Sequence, residues 1–486
     1  MTFEMTAPAQ VAPEPLSEIV RDALGDNIYR CYQCAKCTSG CPVADEFDLM
    51  PNQVMRSLQV GDPAVLESKA IWLCASCQTC ATRCPQQIDV TGVMDVLRIE
   101  AKRRGIRPAI PEIAQFNALF MLFVKVLGRV PELALIIAYN LVRRQPLRDL
   151  GMGLRMLKRG KLKLMPQFAR PPKQVTPLAD AKKPADAKNP ADAKNKVAYF
   201  PGCAAHSSAA DYDRTVRRTA AKLGIELVEP PGWVCCGATP AHATDAALAT
   251  ALPLRTMSTI EQMGLDTVTS PCSNCFARLK AAEYTALHDP EALRKAEAHN
   301  NQPYHGKVKV QHILDTLIER AGVADIRRRV ERPLENLRVA CYYGCLITRP
   351  SQVTGAENAE YPMKMDYLIR ALGAETVDWS YKTECCGGAL GVTQPQISAR
   401  MSRKIVNNAR DCGAEAIVTL CPMCHINVDA RQPEMGLDGE TPVFHGSQLM
   451  TLAFGDGPKA AYLEKNVIDP RPLLETKGLL GNSRTD

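Results

Sequence analysis

The sequence lacks a secretory leader: residues 1–14 have neither a basic start nor an apolar core. Secretion is therefore not expected, and a cytoplasmic location is. It also lacks an apolar run that could span a bilayer. The one candidate, residues 113–142, is split into apolar stretches 118–124 and 133–139 by Lys125, Arg129, Pro131 and Glu132, and each is too short to cross. Two soluble helices, packed on their own domain or on a partner protein, are expected there, with peripheral membrane contact as the alternative. No block of one charge stands out, since the net charge of +7 is spread along the chain. That excludes nucleic acid as an expected partner. No GxGxxG fingerprint is present, so a flavin such as FAD, or a nicotinamide, would have to reside on a partner protein.

Cysteine, in contrast, is abundant, with 20 in 486 residues. The length exceeds what one core organises, so two or three domains are expected. In a reducing compartment, thiols clustered at two- and three-residue spacings hold metal more readily than they pair with each other.

Eight of them form a repeated motif. Cys31, Cys34, Cys37 and Cys41-Pro42 read C-x2-C-x2-C-x3-C-P, and Cys74, Cys77, Cys80 and Cys84-Pro85 repeat it. Three closely spaced thiolates wrap one cubane, and the fourth, before proline, is directed to the neighbouring cluster. The spacing assigns Cys31, Cys34, Cys37 and Cys84 to one [4Fe–4S] cluster and Cys74, Cys77, Cys80 and Cys41 to the other. CxxC spacing alone would also allow zinc, but this eight-cysteine double run with both prolines is the iron–sulfur signature. Such clusters carry single electrons.

The chain divides at a low-complexity stretch, ADAKKP, ADAKNP, ADAKNK over residues 179–196. With no apolar face to bury, it reads as an extended tether. The expected organisation is a ferredoxin-like domain with a helical extension at 1–168, a linker at 169–196, two α/β units at 197–335 and 336–460, and a C-terminal tail at 461–486. Ahead of the linker, helices are expected over 51–60, with proline in the first turn, and over 90–104. Behind it, short β-rich runs at 197–200, 226–228, 267–269, 337–340, 376–377 and 416–420 alternate with helical stretches, an α/β pattern.

The two α/β units are copies. Cys203, Cys235, Cys236, Cys272 and Cys275 recur as Cys345, Cys385, Cys386, Cys421 and Cys424, and the last intervals, 36 and 35 residues, nearly match. Each copy supplies five thiols, one more than a cubane needs. Most of these loops follow an expected strand, so all five in a copy could converge at the carboxyl edge of a sheet. Gly237 and Gly387, after the adjacent cysteines, would let the backbone pass close to a cluster.

These motifs carry a family resemblance. The loops FPGC, VCCG and PCSNC, and again YYGC, ECCG and CPMC, resemble the CCG domains of the catalytic (HdrB-type) component of heterodisulfide reductases. CYQCAKC, IWLCASCQTC and RGKLKLMP resemble the ferredoxin-type (HdrC-type) component of the same enzymes. The order also resembles the iron–sulfur proteins of sulfur-oxidising heterodisulfide-reductase-like complexes and of glycolate and lactate oxidases. The resemblance implies a noncubane [4Fe–4S] cluster on each set of five cysteines, two in all, facing a shared disulfide. It also implies a flavoprotein partner similar to the flavin-carrying (HdrA-type) component.

The expected protein is thus multi-domain: a mostly α-helical double-cluster domain followed by a duplicated CCG module. It is expected to act as a thiol/disulfide oxidoreductase subunit on a sulfur substrate or a lipoate carrier. A conduit for a flavin-dependent 2-hydroxy-acid oxidase, delivering electrons towards quinone, is the alternative. Cys341 and Cys412 fall outside the pattern and are expected to pack in apolar surroundings. His206 and His425, close to ligand cysteines, are candidates to supply a proton or simply to bond backbone. Arg349 would either meet an anionic substrate or pair with an acid.

Overall fold

Two parallel four-stranded sheets of the same strand order form the back of the molecule. Their strands are β1 (Lys196–Tyr199), β2 (Glu226–Val228), β3 (Thr267–Ser270), β4 (Lys309–His312), β5 (Arg338–Tyr342), β6 (Glu375–Thr376), β7 (Ala416–Thr419) and β8 (Val443–His445). The sheet orders are β2-β1-β3-β4 and β6-β5-β7-β8, so the cysteine repeat is a repeat of fold. The structure is a computed structural model that describes residues 14–25, 27–162, 169, 195–437 and 439–480. The ADAK stretch lies outside the described residues apart from Asn195 and Lys196.

Strands β1 and β3 are buried along nearly their whole length because both faces of each sheet are covered, as parallel sheets require. Strands β4 and β8 had no counterpart among the expected runs. They are short segments at a sheet edge, and pairing with β3 and β7 defines them more than any apolar period does.

The two copies share their cores. One cluster joins Val197, Tyr199 and Val216 to Leu368, Val418 and Phe444. Tyr212 donates to Pro271 O at 3.2 Å and to Leu420 O at 3.0 Å, tying together the loops that lead to Cys272 and Cys421. Ala461, Leu463 and Leu474, within the segment read as a C-terminal tail, are buried in the same core.

The front half is helical, with no strand among its described residues. Its helices Pro51–Val60 and Val90–Arg103 bury Val54, Leu58, Val93 and Leu97 around the cysteine loops. The split apolar segment forms helices Pro111–Leu127 and Glu132–Val142, followed by Leu150–Lys158. No described helix is long and apolar enough to cross a membrane.

Candidate iron–sulfur site

In the front half each motif wraps its thiols with the same backbone device. Gln33 and Ala35 flank Cys34 with left-handed φ of 61° and 59°, and Ser76 and Gln78 flank Cys77 at 52° and 63°. Non-glycine residues adopt this conformation at a cost of about 1–2 kcal/mol each. Its recurrence at equivalent positions marks loops shaped for a ligand rather than for stability. Sequence reading missed it because no glycine announces it.

The fourth cysteine of each motif has neighbours in the other motif, and Cys41 keeps Cys37 of its own as well. Cys41 is electrostatically coupled to Cys77 and Cys74, and Cys84 lies with Cys31 and Cys34 around Tyr32. Burial raises the Cys41 and Cys80 thiols. Cys74 is pushed up to about 11 by burial, opposed by Arg98. Arg98 also donates to Cys74 O at 2.9 Å and to Ile71 O.

In the back half, the ten cysteines follow three strands in each copy: β1, β2 and β3, then β5, β6 and β7. Cys236 and Cys275 bring their sulfurs to 3.5 Å, and Cys386 and Cys424 to 3.8 Å. The glycines that matter here are ones the sequence reading passed over. Gly202 and Gly344 precede Cys203 and Cys345 with φ of 75° and 71°, and a Cβ on them would fall 2.7 and 2.8 Å from the sulfurs of Cys275 and Cys424. Gly237 and Gly387 instead have helix residues as neighbours, Ala241 for the first and Met401 and Ser398 for the second. At both positions a Cβ would strike the following helix, so the glycines permit close helix packing.

Two contacts join the sets of thiols into a series. Cys77 of the front half and Cys385 of the second copy are buried in one cluster, and the Cys385 thiol is the main reason the Cys77 pKa falls to about 6. Cys272 and Cys421, one from each copy, are likewise buried in one cluster, where the Cys272 thiol lowers the pKa of Cys421. The first copy's set opens elsewhere, into an apolar cavity of about 230 Å³. All five of its cysteines line that cavity, together with Phe116, Phe120, Ile136, Met152 and Met156 of the helical extension. Val130 N lies 3.4 Å from the sulfur of Cys203.

The remaining candidates take structural places. His425 is buried and stacks on His445 at 4.0 Å. Its Nε2 bonds Val443 O at 3.0 Å, and burial lowers its pKa to about 3. His206 faces Glu229 at 3.1 Å and the edge of Trp233. Arg349 pairs with Glu360 at 2.9 Å and donates to Thr79 Oγ1 at 2.8 Å, which pins the second copy to the front half. Cys341 is buried in β5, and Cys412 caps the helix Pro395–Asp411.

The donor set suits iron–sulfur clusters. The donors are thiols, they approach in pairs at Cys236–Cys275 and Cys386–Cys424, and Gly202 and Gly344 clear the space beside two of them. What the fold and these loops define is an iron–sulfur protein with a duplicated cysteine-rich module.

The CCG cysteine-rich domain matches residues 197–280 and 339–429, and the 4Fe-4S dicluster domain matches 30–89. The 8-methylmenaquinol:fumarate reductase membrane anchor subunit of Wolinella succinogenes is 32% identical over 57% of this chain and 98% of its own length. The HdrB-type component of the ferredoxin/F(420)H(2)-dependent CoB-CoM heterodisulfide reductase of Methanosarcina acetivorans is 31% identical, over 56% of this chain and 94% of its own. The HdrC-type component of the ferredoxin:CoB-CoM heterodisulfide reductase of that organism is 34% identical over 21% of this chain and 41% of its own. The probable glycolate oxidase iron-sulfur subunit of Bacillus subtilis is 21% identical over 88% and 94%. The chain belongs to the HdrB family of heterodisulfide reductase components, with an HdrC-like module joined ahead of it.

Proposed function

We propose that this chain is the iron–sulfur component of a heterodisulfide-reductase-like complex, carrying single electrons between a flavoprotein partner and a disulfide or dithiol substrate. Cys31, Cys34, Cys37 and Cys84 would hold one cubane, and Cys74, Cys77, Cys80 and Cys41 a second. Cys203, Cys235, Cys236, Cys272 and Cys275 would hold one noncubane cluster, and Cys345, Cys385, Cys386, Cys421 and Cys424 the other. Such clusters supply one-electron steps where they are bound.

The observation that carries the reading is the pair of thiol contacts, Cys77 with Cys385 and Cys272 with Cys421. They order the cysteine sets as front half, second copy, first copy, cavity. Reducing a disulfide takes two electrons and two protons and yields two thiols. Meeting copies at Cys272 and Cys421 suit a substrate that must receive both electrons at one place. Phe116, Phe120, Met152 and Met156 give the cavity an apolar wall. The polar side chains that reach it include Asn274, Asn427 and Arg431. A cytoplasmic location goes with this reading.

One observation favours a second reading: the cavity lining is mainly apolar. An apolar acceptor such as a quinone would suit it, which would make the chain a conduit from a hydroxy-acid oxidase or between a quinone and another reductase. Electron paramagnetic resonance of the oxidised, anaerobically purified chain, with about 16 irons, separates the two. On the first reading, added thiols such as protein-bound dihydrolipoate produce a new paramagnetic signal in wild type and in Cys84→Ser, and none in Cys386→Ser. No thiol-dependent signal in wild type, with iron complete, would leave the conduit reading.

A further inference from the structure

Three helices, Pro111–Leu127, Glu132–Val142 and Leu150–Lys158, roof the cavity. Each is apolar on two opposite faces. The inner face is used: Phe116, Phe120, Ile136, Met152 and Met156 line the cavity. The outer face carries Leu122 and Val126, then Ile137 and Leu141, then Leu154 and Leu157, with exposures of 51–69%. Within each of the first two pairs the spacing is four residues, and in the third it is three, so each pair sits on one stripe of its helix. Nine of the fifteen most exposed large apolar side chains among the described residues fall between Leu122 and Leu157. A helix apolar on both sides is one that is covered on both sides.

Charge says what covers it. Lys125, Arg144 and Lys158 are exposed on these helices and their connections, and make no ion pair among the described residues. The three carboxylates of the segment, Glu112, Glu132 and Asp149, are all partly buried. Glu112 is paired with Arg143, and Glu132 accepts from Ser208 N at 3.1 Å. The outer surface therefore offers leucine, valine and isoleucine ringed by cations with no exposed acid. That is the composition of a helix lying in a lipid interface. With no described helix long enough to cross, the contact is with the surface.

We propose that the outer face of these three helices docks on an anionic lipid bilayer, with the apolar side chains in the headgroup–acyl boundary and Lys125, Arg144 and Lys158 against lipid phosphates. Docking there would put the cavity roof, and through it the first copy's thiols, next to the membrane. The proposal does not depend on which substrate the cavity takes.

The test is vesicle flotation of the full, cluster-loaded chain. Vesicles of phosphatidylcholine alone are compared with vesicles of phosphatidylcholine mixed with phosphatidylglycerol. The chain should float with the mixed vesicles and not with the neutral ones, and added salt should release it. Each basic side chain near an anionic surface contributes roughly five-fold to partitioning, so K125E/K158E should lower it by at least about twenty-five-fold. L122N/L154N should also release the chain, and because both side chains are exposed, iron content should stay at the wild-type value. Four results each overturn the proposal: no flotation with anionic vesicles, equal flotation with neutral ones, flotation unchanged in both double variants, or flotation only after a membrane-bound protein partner is added.

Discussion

The two copies of the cysteine-rich unit have the same strand order and the same five thiols after the same three strands, but different neighbours. The second copy's Cys345 and Cys385 belong to the core of the front half, packed with Leu390, Ile397 and Met401 against the ferredoxin-like loops. The first copy's Cys203 and Cys235 instead sit under the roof helices, with Val124, Val130 and Leu135. Three residues after the last cysteine, the copies also diverge. The second copy has Asn427, whose amide lies 3.5 Å from the sulfur of Cys386. The first has Arg278, whose charge favours the thiolate of Cys236 and is balanced in turn by Asp95 of the front half. Duplication reproduced the cysteine scaffold, and the neighbours packed one copy against the front half and the other under the roof helices; on the proposed function these are the faces for electron entry and for a ligand.

The strongest test of that division removes one thiol from each side. Cys385→Ser and Cys235→Ser should each lose about four irons. After rapid reduction of the front half, Cys385→Ser should leave the first copy oxidised, while Cys235→Ser should still reduce the second. Freeze-quenched paramagnetic spectra read this directly, and an identical block in both variants would break the proposed order.

Buried ion pairs come next. The second copy pairs Lys382 with Asp366 at 2.7 Å within itself, side chains 1% and 0% exposed. The first copy's Asp211 is paired instead by Lys161, at 2.9 Å, from the end of the front half. Replacing either lysine by methionine strands a buried carboxylate, at about 3–5 kcal/mol. K382M should lower the denaturation midpoint of the back half. K161M should also make the roof helices susceptible to protease, which K382M should not.

Acid should act through histidines held neutral by burial. His312 is lowered to about 4, and His242, at 2.7 Å from Asp95, is also lowered. Unfolded chain binds these protons below about pH 6.5 and folded chain does not, so stability falls as pH falls through that range, by about 1.4 kcal/mol per histidine per pH unit. Asp95 acts lower: burial opposes its charge, but His242 and Arg98 bring its pKa below the usual value, so its contribution persists until pH drops beneath the ordinary aspartate range. H312N should flatten the denaturation-versus-pH curve between pH 6.5 and pH 5 relative to wild type.

Smaller effects probe the loops. G202A and G344A should each cost about 1–2 kcal/mol and displace the thiol of Cys275 or Cys424, lowering iron content in the matching copy. If both retain full iron, the close approaches are not part of the ligand geometry. Smallest of all, C412S at the helix cap should change stability by no more than about 0.5 kcal/mol and iron not at all.

Much of this was legible in advance. Proline in the first turn marked the helix Pro51–Val60, whose ends fall where the sequence reading put them. The expected runs located six of the eight strands, including β2 and β6 at one edge of each sheet. The other edge strands, β4 and β8, went unread: β4 mixes Lys309, Gln311 and His312 with Val310, and β8 is only three residues long. The left-handed residues around Cys34 and Cys77 were hidden because the loops impose that conformation on glutamine, alanine and serine.

What the sequence by itself determined is the inventory: two ferredoxin loops, two copies of a five-thiol unit and the family they belong to. These are local spacings, and spacing between ligands survives in one dimension. Tertiary structure alone decided that Cys385 meets Cys77, that Cys272 meets Cys421, and that one copy's thiols pack against the front half while the other's line an apolar cavity. Nothing in either copy's own residues specifies those contacts, because they depend on which surfaces of the three units bury the most apolar area together.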